Sequence, residues 1–303
     1  MSLSRTLTLL LAWLSLSSVA CGAGAYPLLD LAAELAASRE PDRRASASDP
    51  DLRHARHALE QADPPADDSC AGTLGANAFA ELHADLAGAL KASGDHLGAA
   101  QAFRRALACR PRSARLMGAL AEVLFDARDF PAARAAIEDA LRVNPRAVHA
   151  NRTAGNLDFI DERWADAMAR FRYVAASDPD RDQAGYAQLM FWLSQSRAGV
   201  RNPQFVERRA GTGWPQPLML YMRGEYTEAE LIEHVRDGDS LAESEGGPNT
   251  DERLCEALYY VGQAHWARGK PEVARNYFAA LVNLRVIYYL EHGLALAEIA
   301  KLQ

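Results

Sequence analysis

Eight histidines and four cysteines are the residues of this chain with the most chemistry to offer, and their spacing offers little. His83, His96, His149, His234, His265 and His292 are scattered, and no H-E-x-x-H places two of them on one helix face beside an acid, as a catalytic zinc requires. His54 and His57 lie three apart but have no third ligand near them. There is no G-x-S-x-G nucleophile motif. Gly211-Thr212-Gly213 lacks both the lysine and the preceding strand of a phosphate loop. Glu291-His292 and Glu256 could in principle share a proton, but hydrogen bonds between helices account for them better. The sequence therefore assigns no catalytic residue, no cofactor and no metal.

What the sequence does carry is a period. Pro111, Pro145 and Pro179 stand 34 residues apart. Twelve residues before each comes an alanine (Ala99, Ala133, Ala167), and eight before comes a large apolar residue (Phe103, Ile137, Phe171). A small residue lets two helices approach closely, and a bulky one four positions later fills the adjoining groove. The proline falls where the second helix must stop, because the residue before it is pushed out of the helical region. The run AELHADLAGALKASGDHLGAAQAFRRALACRP, followed by ARLMGALAEVLFDARDFPAARAAIEDALRVNP, resembles consecutive tetratricopeptide (TPR) repeats. The pattern returns out of phase near the C-terminus, with Gly262, Ala274 and Phe278 in the corresponding places. The expected fold is all-α: a TPR helix-pair solenoid with a helical, TPR-like C-terminal cap.

Composition agrees with a packed, exported scaffold. The chain is 49% hydrophobic and 24% charged with a net charge of −7, which argues against a nucleic-acid partner or adsorption to an anionic membrane. Residues 1–25 read as a secretory signal, with Arg5 at the head, an apolar run from Leu7 to Leu16 and then small residues. Two cleavage positions compete. Ser18-Val19-Ala20-Cys21 fits a loose bacterial lipobox with lipidation at Cys21, and Ala23-Gly24-Ala25 fits cleavage before Tyr26. Residues 26–75 read as a flexible tether with short helices, too poor in apolar residues to build a core of their own. Residues 76–210 read as the solenoid, with a short polar helix around Gln204–Ala210 interrupting it. Residues 211–303 read as the C-terminal TPR-like region, closed by a capping helix over Tyr288–Leu302.

In an oxidising compartment Cys70, Cys109 and Cys255 form an odd set beside Cys21. Cys70 precedes the first helix of the first repeat and Cys109 ends the second, so an antiparallel pair brings them side by side. A Cys70–Cys109 bridge is expected, with Cys255 left as a buried thiol.

The segments WPQPLMLYMRGEYTEAEL, CEALYYVGQ and YYLEHGLALAEIAKL resemble the C-terminal part of the NlpI-type TPR proteins, envelope lipoproteins of Gram-negative bacteria. That resemblance covers roughly residues 80–303. It implies an outer-membrane anchor at Cys21, homodimerisation, and an adaptor role that brings peptidoglycan hydrolases together with a periplasmic protease. The alternatives are an outer-membrane or pilus assembly TPR factor and, from a different class, a periplasmic enzyme with a TPR appendage. By resemblance to TPR stacks, which bind partners along the face lined by the first helices, the groove would include Arg115, Glu122, Phe125, Asp126, His149, Arg152, Asn156, Phe159, Tyr186 and Met190, with packing between neighbouring repeats the competing reading for Phe125 and Phe159. Aromatic and methionine side chains beside Arg152 and Asn156 suit an extended peptide or a helix.

Overall fold

The computed structural model describes residues 26–38, 50–61, 75–206, 213–238, 248–286 and 289–302. Residues 1–25, read above as a secretory signal and including Cys21, lie outside them, as does Cys70. Among the described residues the protein is all helix. Helices α1 (Pro27–Ser38) and α2 (Pro50–Gln61) precede three hairpins. The hairpins are α3 (Gly75–Ala92) with α4 (His96–Cys109), α5 (Ala114–Asp126) with α6 (Phe130–Val143), and α7 (Val148–Ile160) with α8 (Trp164–Ser177). Then come α9 (Arg181–Arg197), the short α10 (Gln216–Arg223) and α11 (Glu228–Arg236), the hairpin α12 (Thr250–Ala267) with α13 (Pro271–Asn283), and α14 (Leu290–Lys301). Gln204 to Val206 are not helical, so the polar helix expected there is absent over those residues, and 207–210 lie outside the described ones.

Every hairpin is built on the same three seats. Ala99, Ala133, Ala167 and Ala274 are fully buried in α4, α6, α8 and α13. Four residues on, Phe103, Ile137, Phe171 and Phe278 are buried as well. Phe171 and Phe278 face a glycine sixteen positions earlier on the first helix, Gly155 and Gly262, and at the same spacing the first two hairpins carry the buried Ala87 and Ala121. The fit is tight. A Cβ on Gly262 would lie 2.7 Å from the Phe278 ring, and one on Gly155 would lie 2.9 Å from the Phe171 ring. Overpacking at such a crossing costs about 1–3 kcal/mol.

The turns repeat too. Gly94, Arg128, Glu162 and Gly269 all take positive φ, the left-handed conformation that reverses the chain between the two helices of a hairpin. Asp95 and Asp129 then cap the second helices by accepting from Gly98 N at 2.9 Å and Ala132 N at 3.2 Å. In the two later repeats that place is held by Arg163 and Lys270, which make no side-chain cap. Each second helix ends at Cys109, Val143 or Ser177, two residues before its proline.

The stretch read as a tether behaves otherwise in α1. Leu28, Leu31 and Ala32 are buried, and the helix packs against α11, α12 and α13 of the C-terminal region. The Leu28 amide reaches Glu228 at 3.5 Å, and Arg236 pairs with Glu34 at 3.3 Å. Its few apolar residues do not build a core of their own; they complete one assembled two hundred residues later. Helix α2 packs on α3, with Leu52 and Ala55 buried.

Helix α14 folds back across the stack and touches α7 as well as α12 and α13. Lys301 Nζ donates to the Ile160 carbonyl at 2.6 Å and lies 3.4 Å from Glu162. The closing helix therefore reaches into the curve of the solenoid.

Candidate functional site

Because α14 and α12 face the first helices of the repeats, a cavity of about 270 Å³ remains between them. Its walls are Lys91 at the end of α3, Glu122 of α5, Arg152 and Asn156 of α7, and Gln183, Tyr186 and Met190 of α9. Glu256 and Tyr260 of α12, with Tyr289, Leu290 and Glu291 around the start of α14, close the other side.

One wall is a chain of ion pairs. Lys91 Nζ lies 2.5 Å from Glu122 and 3.6 Å from Asp126. Arg152 lies 3.6 Å from Glu122 and 4.0 Å from Asp178, and donates to Gln183 Oε1 at 2.6 Å. Burial alone would raise the Glu122 carboxyl, but the Lys91 ammonium and the Arg152 guanidinium, helped by the Lys91 hydrogen bond, hold it at about 2. Asp126 is pushed up to about 7 by burial, which the Lys91 ammonium opposes and the Glu122 carboxylate reinforces.

On the opposite wall the acids have no basic partner among the described residues. Glu256 accepts from Tyr186 Oη at 2.9 and 2.7 Å and from Trp214 Nε1 at 2.5 Å. Burial and the neighbouring Glu291 push its carboxyl well above the carboxylate range, against the pull of those two donors. Glu291 is pushed by burial to about 7. An acid whose folded pKa is raised holds a proton that the unfolded chain releases. Its stabilising effect is whole below about 4.5 and is lost as pH rises through about 7. Thermal melts of wild type and Glu291→Gln should therefore nearly coincide at pH 5. By pH 8 the variant should lead by several degrees, at roughly 2–4 °C per kcal/mol for a chain of this size class. A gap that does not change with pH would refute the shift.

The ten groove residues expected from the repeat register fall into different places. Glu122, Arg152, Asn156, Tyr186 and Met190 line the cavity, and Asp126 touches it through Lys91. His149 sits at its rim, its ring Nδ1 2.8 Å from Arg152. Arg115 is exposed and pairs with Glu81 at 2.6 Å, away from the cavity. Phe125 and Phe159 do not face a groove. Both are buried and meet the aromatic residue that opens the next helix, Phe130 at 5.3 Å and Trp164 at 5.2 Å. Each pair packs the inside of its turn, the cheapest place to bury a large ring at that register.

Sequence reasoning missed Lys91, Gln183, Tyr260 and Tyr289, and read Glu256 and Glu291 only as hydrogen-bonding groups between helices. Lys91 stands 34 residues before Phe125 and 68 before Phe159, at the same repeat position, so its signal was present. Glu256 holds the inward second position of the last repeat. Nothing in the local pattern places Tyr289 or Glu291 opposite residues more than a hundred positions away. Cys109 is disulfide-bonded, while Cys255 is a buried thiol on α12.

Fold and turns together define an all-α helical-repeat protein. Residues 90–153 match the family model described as Tetratricopeptide repeat, which spans the end of the first repeat, the second and the start of the third. That stretch thus carries repeats of the TPR type, and stacks of such repeats serve as surfaces for binding other proteins.

Proposed function

We propose that this protein is an exported, non-catalytic adaptor of the bacterial envelope, of the NlpI type, held on the outer membrane by a lipid on Cys21 and binding periplasmic or outer-membrane proteins. Peptidoglycan hydrolases and a protease are the partners that the resemblance suggests, with a homodimer as the working assembly. The observation carrying this reading is the charged strip along the first helices, where Arg115, Glu122, His149 and Arg152 keep part of their side chains exposed. Charge patterns of that kind select a partner and speed its arrival more than they add affinity. The signal-like segment and its Cys21 support an envelope address.

Cross-linking and capture from the native envelope tests this with wild type and the double variant Arg115→Glu, Arg152→Glu. The charge reversals should lower recovery of the specific partners at least tenfold while the helical circular dichroism is kept. Retention of every partner would remove the strip from the interface, and turnover of peptidoglycan or peptides by the purified protein alone would overturn the adaptor reading.

We also propose that Cys70 is the partner of Cys109, stapling the segment before α3 to the end of α4. Peptide mapping under non-reducing conditions should recover these two linked, in a species lost on reduction. Recovery of either as an alkylated free thiol would refute the pairing.

A further inference from the structure

We propose that the cavity between α7, α9, α12 and the start of α14 is a binding site for an organic ammonium group, seated against Glu256, Glu291 and the side-chain oxygen of Asn156. This goes beyond the adaptor reading and does not depend on it.

Three observations converge. First, buried acids elsewhere in this fold have bases: Glu298 lies 3.3 Å from Arg197, and Asp158 lies 2.7 Å from Arg170. Glu256 and Glu291 are as deeply buried, yet neither has a basic side chain within ion-pairing distance among the described residues. The donors that Glu256 does have, Tyr186 and Trp214, are neutral. Lys91 and Arg152 on the facing wall are already committed to Glu122, Asp126 and Asp178. The cavity is therefore rich in carboxyl groups that lack a counter-charge, an arrangement that burial makes costly unless a cation or a proton supplies it.

Second, Asn156 is only 4% exposed and lines the same space. Its Oδ1 has no hydrogen-bond partner among the described residues. A side-chain amide oxygen is an acceptor only, so the partner it lacks is an N–H or O–H donor. An ammonium carries three.

Third, the remaining walls are rings and apolar groups: Phe171, Tyr260, Tyr289, Met190 and Leu290. Aromatic faces attract cations by about 0.5–2 kcal/mol, more when water is excluded, and the apolar side chains suit the methylenes of an alkyl chain. A volume of about 270 Å³ admits a short alkylammonium or the end of a lysine side chain and little more.

The ammonium could belong to a free amine or to a lysine of a partner protein. Isothermal titration calorimetry on the full chain separates them, using n-butylammonium chloride and Nα-acetyl-lysinamide, with n-butanol and sodium butyrate as controls at matched ionic strength. At least one ammonium probe should bind saturably at one site, with butanol and butyrate at least tenfold weaker. Preference for n-butylammonium identifies a free amine, and preference for the lysinamide identifies a protein side chain. Glu256→Gln should weaken the preferred probe tenfold or more. Should that variant fail to fold because Tyr186 and Trp214 lean on the carboxylate, Asn156→Leu, which leaves those bonds in place, carries the same expectation. No saturable binding of either ammonium, butanol binding as tightly as the amines, or full affinity in a folded variant each overturns the site.

Discussion

Arg197→Ala destabilises the protein by about 3–5 kcal/mol, the cost of leaving a buried charge without its partner. The Arg197 side chain is 6% exposed and the Glu298 side chain 2%. Arg197 Nη1 donates to Gln263 Oε1 at 2.9 Å and to Glu298 Oε1 at 3.3 Å, and Gln263 Nε2 donates to the same carboxylate oxygen at 3.0 Å. The guanidinium also lies 3.8 Å from the centre of the Trp266 ring and 5.1 Å from that of Trp164. One side chain on α9 thereby ties α12, α14 and the start of α8 together. Urea unfolding should show a midpoint shift with an unchanged slope. Because the penalty comes from a buried carboxylate left with only Lys301, 3.6 Å away, as counter-charge, the double variant Arg197→Met, Glu298→Met should recover most of the loss, as replacing both members of a buried pair with apolar groups often does. Equal losses in the single and double variants would mean that packing on the rings, not charge, sets the cost.

Leu28→Asp should detach α1 altogether. The substitution removes a fully buried leucine, for which truncation alone costs about 2–5 kcal/mol. It also places a carboxyl group next to Glu228, which already accepts from Tyr277 Oη at 2.8 Å. Leu31 and Ala32 are buried beside it, but the Arg236 to Glu34 pair is exposed and of small worth, so little else holds the helix once a charge sits in the middle of that apolar face. Hydrogen exchange should show amides 28–36 losing protection while α3–α8 keep theirs. Uniform exchange across the whole chain would mean that α1 is integral to the global fold, and unchanged protection would mean that its packing contributes little.

These two regions also mark where the sequence stopped being readable. The hairpins could be read because their determinants are local: Ala133 and Ile137 are four residues apart, and Pro145 acts on the residue beside it. The same local rule misplaced Phe125 and Phe159, because repeat register fixes which side of a helix a residue occupies but not whether a neighbouring ring covers it. Leu28 was set aside because it lies in a segment rich in Ala, Arg, Asp and Pro, and nothing nearby announces the apolar face of α11 and α13 that receives it. Half of the cavity could be read from the inward positions of α5, α7 and α9. Glu256 keeps a repeat position on α12, but Tyr289 and Glu291 depend on α14 turning back into the curve, a long-range event that leaves no periodic trace.

The return of α14 also decides how the molecule comes apart. An open array of repeats gains stability from neighbour to neighbour and can unzip from either end. Here Lys301 latches onto the Ile160 carbonyl, joining residues 141 positions apart, so the last element cannot peel away without releasing the third hairpin as well. Closing so long a loop carries an entropic cost that grows only as the logarithm of its length, and the latch links the last helix and the third hairpin into one cooperative unit. Pulled at its ends, such a molecule should hold to a single high force and then give way at once, where an unlatched solenoid would yield one hairpin at a time.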